Sequence, residues 1–104
     1  MSSTLARSVD QLIGRINRWA PPQWAAPSAS GPSRADVVHA LVQRVADLAA
    51  TAEGQPQRAV PRLDNDLSLP DQLRVVLADL VAAEPGNETL HRTAELVGEV
   101  RRSL

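Results

Sequence analysis

The stretch Ser33-Arg34-Ala35-Asp36-Val37-Val38-His39-Ala40-Leu41-Val42-Gln43-Arg44-Val45-Ala46-Asp47-Leu48-Ala49-Ala50-Thr51-Ala52-Glu53-Gly54 decides the fold class. Val38, Leu41, Val45, Leu48 and Ala52 recur at steps of 3, 4, 3 and 4, the period of one helix face. Val37, Val42 and Ala49 widen that stripe. Both ends carry their own signals. Ser33 offers a hydroxyl to the first unpaired amides, and Asp36 stands where a capping box usually holds Glu or Gln. Gly54 suits the left-handed residue that ends a helix. The spacing predicts a helix over residues 34–53.

The same grammar extends in both directions. Upstream, Leu5, Val9, Leu12, Ile16 and Trp19 step by 4, 3, 4 and 3 with Ile13 beside them, predicting a helix over 4–19. Pro21-Pro22 should end it, because proline lacks an amide and its ring clashes with the preceding turn. Residues 20–33 hold four of the eight prolines and read as an extended connection. Residues 55–67 read as a second, with Pro56, Pro61 and an Asp64-Asn65-Asp66 turn signal. Ser68-Leu69-Pro70-Asp71 then opens a helix over 69–84, with a capping hydroxyl, a first-turn proline and an acid. Its buried side is Leu69, Leu73, Val76, Leu77, Leu80 and Val81, and Pro85-Gly86 closes it. Asn87 should cap a last helix over 88–103, with Leu90, Ala94, Val97 and Leu104 on one face and Val100 at its edge. Four such amphipathic segments predict an all-α fold spanning 1–104 as a single domain. The simplest form is a small antiparallel four-helix bundle with two long Pro-rich connections, the last two helices forming an αα-hairpin.

Composition narrows the chemistry. The chain of 104 residues is 43% hydrophobic, too apolar for a disordered tail, yet its only aromatics are two Trp. The absence of Cys excludes disulfides, thiolate metal sites and cysteine nucleophiles. No membrane-length apolar run or signal-peptide pattern is present, so a cytoplasmic protein with no membrane partner is expected. All 11 basic residues are Arg. Gly, Ala, Arg and Pro supply 40 residues, whereas Phe, Tyr, Met, Ile, Asn and Lys supply 6, the bias of a high-GC bacterial genome. Without Lys, Schiff-base and P-loop chemistry are excluded. A core of Leu, Val and Ala with few large side chains fills little volume, so burial against a second copy is expected to help, as a homodimer.

Three constellations are candidate sites. Asp36-Val37-Val38-His39 and Glu88-Thr89-Leu90-His91 repeat the carboxylate-x-x-His spacing of di-iron bundles, which makes Asp36, His39, Glu88 and His91 metal candidates. In an up-and-down bundle both pairs would lie at one end. At about 100° per residue, however, His39 falls roughly 130° from its helix's apolar centre, and such ligands must project inward. The expectation is therefore no metal, no cofactor and no catalytic residue; no G-x-S-x-G, glycine-rich phosphate loop or H-E-x-x-H occurs either. Second, Arg7, Arg15, Arg18 and Arg34 give residues 1–35 a net charge of +3, while residues 63–104 carry four Arg against eight acids. These arginines are the candidate nucleic-acid contacts, on a chain whose net charge is only −1. Third, Trp19-Ala20-Pro21-Pro22-Gln23-Trp24 sets both Trp residues around a stiff Pro-Pro unit. Trp19, Pro21, Pro22 and Trp24 are the candidate partner-binding residues, since Trp is enriched at interface hot spots. The preferred reading is a non-enzymatic protein–protein interaction or assembly module; the alternatives are a small nucleic-acid-binding regulator and, last, a carboxylate/His metal bundle.

Overall fold

The computed structural model describes residues 3–104; the first two residues of the expected 1–104 domain lie outside the described residues. Among the described residues five helices form: α1 (Ser3–Ile16), α2 (Pro21–Ala25), α3 (Arg34–Glu53), α4 (Leu69–Ala82) and α5 (Asn87–Ser103). A 3-10 turn over Asp66–Ser68 leads into α4. Among the described residues there is no strand, only an isolated bridge between Pro27 and Ser33. None of their helices is long and apolar enough to cross a membrane.

Helix α3 has the predicted bounds. The Ser33 hydroxyl accepts from the Asp36 amide at 3.1 Å, and Gly54 sits at φ 70°, where a Cβ would strain the backbone. The other ends differ from expectation for local reasons. Helix α1 stops at Ile16 rather than residue 19. Pro21 and Pro22 begin a helix instead of terminating one, since a first-turn proline gives up an amide that has no helical partner anyway. Ala20 caps this α2: its amide donates to Gln23 Oε1 at 2.8 Å and its carbonyl accepts from the Gln23 and Trp24 amides. The Ser68 hydroxyl does not cap α4 but donates to the Asn65 carbonyl at 2.6 Å. Gly86, not Asn87, is the N-cap residue of α5.

Helix direction follows from contacts at the ends. Thr4 lines one cleft with Asn87, Glu88 and His91, while the Arg15 guanidinium donates to the Arg101 carbonyl at 2.9 Å. So α1 and α5 run the same way. Arg62 bridges Asp36 and Asp66 near the starts of α3 and α4, and Ala50 and Glu53 share a cleft with Val76 and Asp79 toward their ends. So α3 and α4 are also parallel. The Ala29 amide, just before α3, donates to the Ser103 carbonyl at 2.7 Å, which sets α5 opposite to α3. The closest helix approaches are α3 with α4, α1 with α5 and α3 with α5. The fully antiparallel order therefore gives way to two parallel pairs, while the last two helices still run in opposite directions. Helices α4 and α5, although joined by residues 83–86 alone, do not pack closely along each other.

The parallel α3/α4 pair requires the chain to travel back along α3, and residues 54–68 do so. Gln43 holds this return segment at both polarities: its Oε1 accepts from the Val60 amide at 2.7 Å and its Nε2 donates to the Arg58 carbonyl at 3.0 Å. His39 Nε2 lies 3.2 Å from the Val60 carbonyl, and Gln72 on α4 donates to the Pro61 carbonyl at 3.2 Å. The core between the helices is built from Leu, Val and Ile with both Trp residues. The radius of gyration, 13.1 Å, matches the roughly 13 Å of a compact chain of this length.

The strap's last anchor is electrostatic. Arg62 donates to Asp36 at 2.8 Å and pairs with Asp66 at 3.2 Å, and this hydrogen bond from Arg62 holds the Asp36 carboxyl below its ordinary pKa. A carboxyl lowered in the folded state contributes stability that is present above its unfolded pKa and is lost as pH falls through the lower, folded value. Because the pair is exposed, we expect Arg62→Gln to cost less than about 1 kcal/mol at pH 7. That cost should shrink on acidification below the ordinary carboxylate range, as followed by urea titration at several pH values.

Candidate interaction surface

The Trp-Pro-Pro-Trp segment places its aromatics inside the molecule. Trp24 is 1% exposed and Trp19 is 9% exposed, with ring centroids 5.0 Å apart and planes at 79°, an edge-to-face pair. The Arg34 guanidinium lies 5.0 Å from the Trp19 ring centroid and reaches the Gln23 carbonyl at 3.4 Å. The Trp24 indole N–H is buried with no acceptor among the described residues. The clasp expected of this loop is thus turned inward: Trp19 and Trp24 seal the junction of α1, α2 and α3, while Pro21 and Pro22 stay exposed.

The basic stripe is divided. Arg34 is committed to the Trp19 face, so it leaves the stripe; Arg7 and Arg18 remain exposed, and Arg15 is tied to the Arg101 carbonyl. Parallel packing of α1 and α5 adds α5's C-terminal Arg101 to the same end as Arg15. The two carboxylate-x-x-His pairs are separated. Because α3 and α5 run oppositely, Asp36 and His39 lie at one end and Glu88 and His91 at the other. Asp36 is bonded to Arg62, His39 contacts the Val60 carbonyl, and exposed His91 pairs with Glu95 at 3.0 Å. No group of three or more His, Asp or Glu among the described residues is placed to hold a metal ion.

A different surface emerges on α4. The large hydrophobic side chains exposed among the described residues are Leu63, Leu67 and Val75, the last 59% exposed. Leu63 lies on the return strap, Leu67 on the 3-10 turn entering α4, and Val75 on α4 itself. Leu63 and Val75 line one shallow groove with Val60 and Val76; on the other side of α4, Val9, Leu77, Ala78 and Val81 line a second. Only Asp71, Gln72, Arg74 and Asp79 interrupt the apolar sequence of this helix. One face packs Leu69, Leu73, Val76, Leu77 and Leu80 into the core, yet the outward face still carries Val75, Ala78 and Ala82. Val75, Ala78 and Ala82 are thus exposed beside Asp71, Arg74 and Asp79, an apolar strip along a mixed face. The signal was present in sequence as a surplus of apolar residues over one stripe, but only burial shows which of them face outward.

No family model matches this chain, and neither a curated protein nor a solved structure matches it.

The aromatic junction makes a direct stability prediction. Trp24→Ala should cost about 3–5 kcal/mol, a large share of the 5–15 kcal/mol that holds a typical domain. Trp24→Phe should cost clearly less, because it keeps a ring while removing a buried, unpaired N–H. Denaturant titrations of both variants check this; equal losses would contradict the packing described.

Proposed function

We propose that this protein is a non-enzymatic interaction module of a bacterial cytoplasm, which associates with another protein chain through the outward face of α4. One observation carries the reading: the exposed large apolar side chains gather on the strap and α4, beside two grooves of the same character. Leu63 and Val75 share one of those grooves, and exposed apolar surface that is contiguous marks interaction sites. With Trp19 and Trp24 buried and only Pro21 and Pro22 exposed in the Pro-Pro loop, this reading places the contact on α4. The test is capture by the tagged chain in nuclease-treated lysate. A stoichiometric protein, retained by the native chain and lost with Val75→Glu while circular dichroism is unchanged, is the expected result. Equal capture by both would move the function off α4.

A second reading, nucleic-acid binding, is favoured by one specific feature, the joint exposure of Arg7, Arg15 and Arg18 along and just beyond α1. It requires binding that falls steeply with salt and is lost when Arg7, Arg15 and Arg18 are neutralised together.

A further inference from the structure

We propose that the chain seated on α4 is a second copy of this protein, with the two α4 helices side by side, parallel, about a two-fold axis running along them. The inference rests on the reading of α4 as an interaction surface and specifies its occupant. Along the outward face, Asp71, Val75, Ala78 and Ala82 step by 4, 3 and 4, the spacing of the a and d positions of a coiled-coil seam. All four are exposed and none belongs to the core stripe. With Val75 and Ala82 at a and Ala78 at d, Arg74 falls at the g position and Asp79 at the following e position.

That register selects both partner and orientation. Parallel helices related by a two-fold axis bring g of one helix beside the next e of the other, so each Arg74 meets the Asp79 of its copy and two equivalent ion pairs form. Antiparallel pairing instead sets g beside g and e beside e, placing Arg74 against Arg74 and Asp79 against Asp79. Both groups are available: Asp79 is exposed and has no ion pair among the described residues, and Arg74 holds only an exposed intrahelical pair with Asp71 and a 3.3 Å contact to Asn17. The flanks complement each other under the same operation. The axis carries the side of α4 bearing Leu63 onto the side where Val9, Leu77, Ala78 and Val81 form a groove, so an apolar projection meets an apolar recess twice. Ala78 and Ala82 are small enough for close helix approach, while Asp71 meets its own copy at the start of the seam and keeps the association reversible.

Sedimentation equilibrium of the purified full chain tests this. The native protein should dimerise with concentration, and Arg74→Asp or Asp79→Arg alone should weaken the dimer about tenfold or more, since each sets like charges across the seam. Arg74→Asp combined with Asp79→Arg in one chain should restore it. Orientation is read by Ala82→Cys in this otherwise cysteine-free chain. Mild oxidation should link two copies when the seam is parallel, whereas an antiparallel seam separates the two sulfurs beyond disulfide reach. A native protein that stays monomeric, a dimer indifferent to both charge reversals, or a dimer that Ala82→Cys does not link overturns the proposal. A monomeric chain that still loses a lysate partner through Val75→Glu would leave the α4 surface standing and remove only the second copy as its occupant.

Discussion

The arrangement of this molecule depends on one amide side chain. Gln43, in the middle of α3, accepts from the Val60 amide and donates to the Arg58 carbonyl, and so satisfies both polarities of a backbone segment that has no strand partner. Within this otherwise exposed connection Val60 is half-buried, and its amide needs such a partner, because leaving a buried donor unmade costs about 1–3 kcal/mol. A Leu or Glu at position 43 would supply at most half of this. With the strap held, the chain is delivered back to the start of α3, and α4 must set out in the same direction as its predecessor. The parallel α3/α4 pair, the reversed α5 and the separation of the two histidines all follow from that return.

The strap also decides what is left on the surface. It covers one flank of α4 with Val60, yet its own Leu63 stays outside beside Val75. At the start of α3, where the strap arrives, the scarcity of aromatics elsewhere in the chain concentrates both Trp rings in one junction, braced by Arg34. Packing at that junction falls to the largest side chains of the chain, while the apolar side chains left outward on α4 are smaller ones. Trp19 and Trp24, which look most like interface residues in the sequence, are thereby part of the core, while Pro21 and Pro22 beside them stay exposed.

What could be read in the sequence was what local chemistry determines. The Ser33 cap, the Gly54 terminator and the apolar stripe between them place α3 to the residue, because each signal acts within one or two turns. The ends of α1 and α2 were less legible, since Pro21-Pro22 is equally consistent with stopping one helix and starting another. Helix direction was not legible at all: it is set by Gln43, His39 and Gln72 meeting backbone groups 11 to 21 residues away, and nothing in their own neighbourhood marks those partners. The metal pattern of Asp36/His39 and Glu88/His91 failed for the same reason, as its two halves converge only if α3 and α5 run together. On α4, Val75, Ala78 and Ala82 were unclaimed by the core stripe, but their meaning depended on which flank the strap would cover.

The relative direction of α3 and α4 is the claim on which the rest turns, and a pair of spin-label distances tests it most directly. With cysteines introduced at exposed sites of this cysteine-free chain, and labelled protein diluted in unlabelled, Glu53 can be paired with Asp79 in one sample and with Asp71 in another. Eight residues of helix separate the two α4 sites, roughly 12 Å along the axis. A parallel pair predicts that the 53–79 distance is the shorter of the two; a shorter 53–71 distance would mean that α4 runs back along α3, and would contradict the account.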